Sequence, residues 1–250
     1  MWNMIVADTQ RIFRGWAIYV TLAIILGLTA THAFGVANAF ESYGLTANGS
    51  TMPFHLMLLN ENILIGVIFI TSVAFEDFTT GTAKNVLTNG VPRIQYFLAK
   101  LFLTWIFAAL VMVAHVFGGT LLATIANGFG GTIDGEWLLS VFIPFAIILF
   151  QVFAISTVGV ALAFIIQKNS AQWWHFGIIM APIFLSQILM DISEHFRFLS
   201  YIDLLTILRQ AVFIDYLSTA DITRILLIGF GYLAVSLVAG IAYFRKCEVR

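Results

Sequence analysis

Long apolar runs recur six times along this chain, at roughly 16–38, 56–76, 101–123, 138–166, 173–190 and 222–244. Each is close to the about 20 residues that a membrane-crossing helix needs. None shows the alternation of a barrel strand, and lipid supplies no water to an open backbone, so helices are expected. The fourth run is long enough to tilt or to extend past the bilayer. Ahead of the first run the pattern changes. Trp2, Ile5, Val6, Thr9, Ile12, Phe13 and Trp16 recur every three to four residues, while Asn3, Asp8, Gln10, Arg11 and Arg14 fill the other face. This predicts an amphipathic helix over 1–15, lying in the membrane interface with its arginines toward anionic lipid. The first run lies behind this charged segment and is too long for a signal-peptide core, so it reads as a permanent span.

Composition removes the soluble alternative. Of 250 residues, 60% are hydrophobic and 10% are Asp, Glu, Lys or Arg, where a soluble domain carries about 25% charged residues. Mean hydropathy is +0.96. A net charge of −1 with no basic stripe gives no nucleic-acid signal. The single cysteine, Cys247, allows no intrachain disulfide and no multi-cysteine metal site. It reads as a plain residue of the basic tail, with membrane-proximal acylation as the other reading.

The positive charges orient the spans. Arg11, Arg14, Lys84, Arg93, Lys100, Lys168, Arg245, Lys246 and Arg250 share one side of a six-span layout, which is nine of the twelve Lys and Arg. Only Arg197, Arg209 and Arg224 fall on or near the other. Both termini are therefore expected in the cytoplasm of a cell with the chain in its plasma membrane. No soluble domain, inverted repeat or low-complexity stretch interrupts residues 1–250, which read as one membrane domain.

The longest inner loop, 77–100, follows Glu76 and is the most polar part of the chain. Thr79 or Thr80 is expected to cap a short helix whose Val86 and Leu87 face a partner, with Asn89-Gly90 and Pro92 breaking it. A short rigid helix projecting from the membrane suits force transmission from a soluble motor. In Glu76, Gly81, Thr82, Lys84, Asn85, Leu87, Arg93, Tyr96 and Lys100, at this spacing, the chain resembles the membrane subunits of type-2 ABC transporters. Length, span count and the N-terminal helix agree, so the resemblance covers essentially the whole chain. It implies a coupling helix docking on a separate ATPase, with Glu76, Asp77, Gly81, Thr82, Lys84, Asn85, Leu87, Arg93 and Lys100 as docking residues.

Segment 191–221 is too apolar for a free loop and too charged for a span, so short helices on the outer leaflet are expected there. The resemblance implies a re-entrant element near a transport exit; a small extracellular packing cap is the other reading. Polar residues at membrane depth form a second set: Asn60, Glu61, Asn62, Gln151, His175 and Gln187, with His115. Such groups by default face a cavity or a partner, which makes the first six candidates for a transport pathway. Glu61 lies only a turn or two from the outer side, so a headgroup-level position also fits it. His115 and His175 lack paired ligands at helical spacing, and interhelical hydrogen bonds are expected for them rather than metal.

No Gly-x4-Gly-Lys-Ser/Thr phosphate loop, His-Glu-x-x-His or Gly-x-Ser-x-Gly motif occurs. The chain is therefore expected to be no enzyme and to bind no cofactor, with ATP and Mg held by a partner subunit. The fold class expected is all-α: six transmembrane helices, an N-terminal interfacial helix, a cytoplasmic coupling helix, and short external helices between spans five and six. Expected partners are a cytoplasmic ABC ATPase, a second six-span permease (identical or paralogous), the bilayer, and a peptide or lipophilic cargo. The resemblance narrows to small exporters of antimicrobial peptides, such as lantibiotic-immunity and bacitracin-resistance permeases. Stretches such as Gly27, Ala30, Ala33 and Ala37, or Gly159 and Ala163, are expected to allow close helix contact. The rival from another class is a secondary carrier or a scaffold, which would need no ATPase.

Overall fold

The computed structural model describes residues 2–41, 48–58, 76–168, 171, 173–178, 181, 207, 210–212 and 217–247. Every regular element among them is a helix. In chain order these are α1 Trp2–Arg14, α2 Trp16–Glu41, α3 Met52–Leu58, α4 Thr82–Thr88, α5 Arg93–Asn127, α6 Gly135–Ile166 and α7 Thr219–Lys246. Among the described residues, α5, α6 and α7 are long and apolar enough to cross a membrane, and the bent pair α1 and α2 counts as a fourth if read as one span. Most of the second and fifth expected spans, 56–76 and 173–190, and most of the 191–221 segment, lie outside the described residues. The count of six therefore stays an expectation.

α5 has 35 residues and α6 has 32. At 1.5 Å per residue that is roughly 52 and 48 Å, well beyond the about 30 Å hydrocarbon thickness. For α5 the excess lies at its start. Residues 93–100, expected to be loop, are its first two turns, because Pro92 at φ −61° launches a helix and needs no donor there. The inner segment is thus shorter and stiffer than its polarity implied.

α1 and α2 are inclined by 68° across Gly15. The amphipathic pattern of α1 is real, but its apolar face is divided. Ile5 and Ile12 are buried with Ile18 and Ile25 of α2 against Ala99, Leu103, Phe107 and Val111 of α5. Val6, Phe13 and the adjoining Trp16 stay exposed. Half of this stripe serves the protein's own core.

The helices meet closely where a glycine permits it. A Cβ at Gly119 would lie 2.3 Å from Leu56 and 2.7 Å from Thr29, one at Gly229 would strike the Gln151 amide, and one at Gly240 would lie 2.8 Å from the Phe97 ring. Nothing lies within 4 Å of such an atom at Gly27. Of the stretch expected to allow close contact on α2, Gly27 thus makes none among the described residues and Ala30 is half-buried, whereas Ala163 is fully buried. Far from α4, the backbone of Gly49 and Ser50 donates to the carbonyls of Gly128 and Phe129, and Trp137 Nε1 donates to Ser50 O at 3.0 Å.

Candidate functional site

Residues 76–100 begin with a helical turn at 76–79, closed by the Thr79 and Thr80 hydroxyls donating to the Glu76 carbonyl at 2.9 Å each. The N-cap of α4 is Gly81 and no side chain bonds its first N–H groups, so neither threonine caps α4 as the sequence suggested. The reversal into α4 is made by Gly81 at φ 72°, a conformation in which a side chain is strained. The break after α4 falls where expected. Asn89 N donates to Asn85 O, Gly90 (φ 86°) N donates to Leu87 O, and Pro92 precedes α5.

α4 turns one face outward and one inward. Lys84 and Asn85 are exposed, Thr82 and Leu87 are half-buried, and Ala83 is fully buried. Val86 and Leu87 pack partly on the protein's own core, so they do not face only a partner. Behind them lie Phe78, Tyr96, Phe97, Phe164 and Phe244. Phe164 meets Phe244 edge-on at 4.6 Å between centroids, Phe97 at 4.8 Å and Phe78 at 5.1 Å. Edge-on aromatic pairs of this kind are each worth about 0.5–1.5 kcal/mol beyond the area they bury. On the outer side of the segment, Lys84, Leu87, Gly90, Val91, Pro92 and Arg93 line a hollow of about 580 Å³.

The base of the segment is held by charge. Asp77 has no exposed surface. It accepts a hydrogen bond from the Tyr96 hydroxyl at 2.5 Å, pairs with Lys100, and meets Arg11 Nη2 at 2.7 Å. Lys100, 2% exposed, also donates to Asp8 at 2.6 Å, and Arg11 lies 3.5 Å from Asp8. Two carboxylates and two cations therefore join α1, the turn at 76–79 and α5. Burial works to raise the Asp77 pKa, but the Lys100 charge, hydrogen bonds from Lys100 and Tyr96, and the Arg11 charge together hold it below its ordinary value.

Three of the expected docking residues are thus engaged by the protein itself. Asp77 and Lys100 are enclosed in this cluster. Arg93 reaches the last helix, where Nη1 donates to Phe244 O at 2.7 Å and to Cys247 O. Asp77 and Lys100 present no charged group to an outside surface, whereas Arg93 is half-buried and borders the outer hollow while bonded to α7. Glu76, Gly81, Thr82, Lys84, Asn85 and Leu87 remain on the accessible side, in whole or in part. Asp8 was missed as a site residue, and Arg11 was counted only as an inner-side charge. The signal for both was available: a lone carboxylate one turn from an arginine on the polar face of an interfacial helix.

The membrane-depth candidates are placed separately. Gln151 is fully buried and donates to Ile225 O at 2.8 Å across the α6–α7 contact. His175 is fully buried, and Nε2 donates to Ile155 O at 3.1 Å. His115 bridges two neighbours. Leu56 O only accepts, so Nε2 carries the hydrogen at 3.2 Å, while Nδ1 lies 2.7 Å from the Thr29 hydroxyl, which also reaches Ile25 O at 2.7 Å. Hydrogen bonds between helices were expected for both histidines and are present. Gln151 and His175 are enclosed among the described residues, while Asn60, Glu61, Asn62 and Gln187 lie outside them.

The family model described as ABC-2 family transporter protein matches residues 11–185, well over half of the chain. The chain belongs to the ABC-2 transporter family. It is accordingly a helical membrane permease of an ABC transporter, the transport component rather than an enzyme. No curated protein matches it. Within the permease, the matched region takes in Arg11, the whole 76–100 segment and both long central helices, and it stops before α7.

Proposed function

We propose that this permease is half of the transmembrane pathway of an ATP-driven exporter, and that α4 is its coupling helix. A cytoplasmic ATPase, holding ATP and Mg, docks on Glu76, Gly81, Thr82, Lys84, Asn85 and Leu87. A second six-span permease, identical or paralogous, completes the pathway. Closure of the ATPases moves α4 and switches the bundle between two packings, open to the inside and to the outside. The permease sits in the plasma membrane of a bacterial cell with both termini in the cytoplasm, following its positive charges. With 15% aromatic residues and few membrane-depth charges, the cargo is an antimicrobial peptide or another amphipathic or lipophilic molecule, moved outward.

The observation that carries this reading is the mounting of α4. An exposed seven-residue helix, flanked by two turns that need glycine, rests on an aromatic contact and a buried charge cluster rather than on solvent. A passive connector has no use for such support; a helix that receives a push does. The test is co-purification with the cognate ATPase, comparing the parent with Lys84→Glu and Asn85→Arg. Loss of the ATPase from both variants is expected, and full retention by both overturns the assignment of α4. The cargo is tested by deleting the gene: heightened sensitivity to a membrane-active peptide is expected, and unchanged sensitivity to every peptide tried removes that part.

A further inference from the structure

The 76–100 segment is fastened at its far end to a helix that lies outside the family match. The Arg93 guanidinium donates through Nη1 to two carbonyls at the end of α7, those of Phe244 and Cys247, and stands 5.7 Å from the Phe244 ring centroid. Carbonyls of a last helical turn lack partners within the helix and carry the negative end of its dipole. The chain leaves α7 extended at Cys247, whose own N–H returns to Tyr243 O. Arg93 thus supplies, from 151 residues away, a cationic donor to these carbonyls, beside the Arg245 and Lys246 of α7's own last turn.

We propose that Arg93 is a positioning residue that passes the displacement of α4 to the last helix, in parallel with the Asp8–Lys100 pair that passes it to α1. This rests on the coupling reading above. Only Asn89, Gly90, Val91 and Pro92 separate α4 from Arg93, and two hydrogen bonds back into α4 fix the turn at 89–90. There is little slack, so movement of α4 carries Arg93 with it. α7 in turn is keyed to its neighbours, with Gln151 seated on Gly229, and Phe97 and Ala161 on Gly240. A pull at its last turn is therefore passed to α7 and the helices it is keyed to instead of fraying its end. An ordinary cap would stabilise α7 without linking its position to that of α4, and the two roles are separable.

The experiment uses the full permease co-purified with its ATPase in lipid nanodiscs, with Cys247→Ser to remove the native thiol. Spin labels at positions 88 and 133 report α4 against the far end of the bundle, and labels at 242 and 133 report α7. Distances are read without nucleotide and after trapping with ATP, Mg and orthovanadate. In the parent both pairs change on trapping. Arg93→Ala keeps the ATPase and the change at 88–133 but loses more than half of the change at 242–133, and Arg93→Lys restores part of it. An undiminished 242–133 change in Arg93→Ala, beside a moving 88–133 pair, overturns the proposal and leaves the coupling reading intact. Loss of the ATPase from Arg93→Ala also overturns it, because Arg93 is then a docking residue. An 88–133 pair that does not move in the parent refutes the coupling reading itself. Should Arg93→Ala not fold, Arg93→Gln, which keeps donors without charge, is read by the same criteria.

Discussion

Replacing Lys100 by methionine tests whether the base of the coupling segment is held by balanced charge. The cluster contains Asp8 and Asp77 against Arg11 and Lys100 and sums to zero. Methionine fills much of the same space but leaves one negative charge in excess. Asp77, without exposed surface, keeps Arg11 and the Tyr96 hydroxyl and loses its closest cation. Removing one partner of a buried ion pair costs about 3–5 kcal/mol. Because the Arg11 side chain is 37% exposed and can shift toward both carboxylates, the low end applies, about 3 kcal/mol. At about 1.4 kcal/mol per tenfold, release of the 76–92 segment from α1 and α5 becomes roughly 150-fold more frequent.

Trypsin cleavage after Lys84 reads this directly. Lys84 is exposed but helical, so a protease needs the segment to open, and the cleavage rate follows the open population while closing stays fast. Lys100→Met should be nicked about a hundredfold faster than the parent in micelles or nanodiscs. Asp77→Asn/Lys100→Met restores neutrality and keeps an acceptor for Tyr96, so it should return to within about tenfold of the parent. A single variant within about threefold of the parent, or a double variant nicked as fast as the single, would refute the charge-balance argument.

Other outcomes follow from the same geometry. Asp77, faced by Arg11 and Asp8 from α1, Tyr96 and Lys100 from α5, and Glu76 beside it, has a lowered pKa in the folded protein. Its contribution is therefore complete above the ordinary carboxylate value of about 3.9 and is lost as pH falls through the lowered one. Nicking at Lys84, probed with a pH-tolerant protease, should stay flat between about pH 5 and 8 and rise only below about pH 4; a rise near neutrality would count against this assignment. Gly240→Ala places a methyl 2.8 Å from the Phe97 ring and 3.2 Å from Ala161, so thermal unfolding in detergent should show a loss of about 1–3 kcal/mol, partly recovered by Phe97→Leu. His115→Leu takes its donor from the Leu56 carbonyl, though the Thr29 hydroxyl keeps Ile25 O, and should cost about 1–3 kcal/mol, while His115→Gln, which keeps a donor, should cost less.

What the sequence made legible follows the physics of each signal. Apolar runs mark α5, α6 and α7 because a membrane span is specified by composition over twenty residues and tolerates noise. Helix ends are specified by single residues, and there the reading slipped. The polarity of 93–100 suggested loop, yet Lys100 and Tyr96 are polar because they close a buried cluster, and the helix runs through them. Thr79 and Thr80 looked like caps because a cap and a back-bonded turn use the same hydroxyl. Gly81 was placed correctly in the motif, but its reason, a left-handed reversal, needs the backbone.

The candidate site shows the deeper limit. A motif gives the residues of one segment, whereas a site is made by what that segment meets. Asp8 lies 92 residues from Lys100 and the Phe244 carbonyl 151 from Arg93, and no local period connects such pairs. In a soluble protein a buried charge would itself hint at a missing partner. In this chain, with 10% charged residues, every charge is conspicuous and most are expected at the membrane edge, so a clamp and a docking surface look alike. Burial separates them. Lys84 is exposed and free to meet an ATPase, while Lys100, with the same formal charge in the same segment, is enclosed and holds the segment in place for that encounter. Reversing the charge at Lys84 should therefore weaken docking without loosening the segment, and the methionine at Lys100 should do the opposite first.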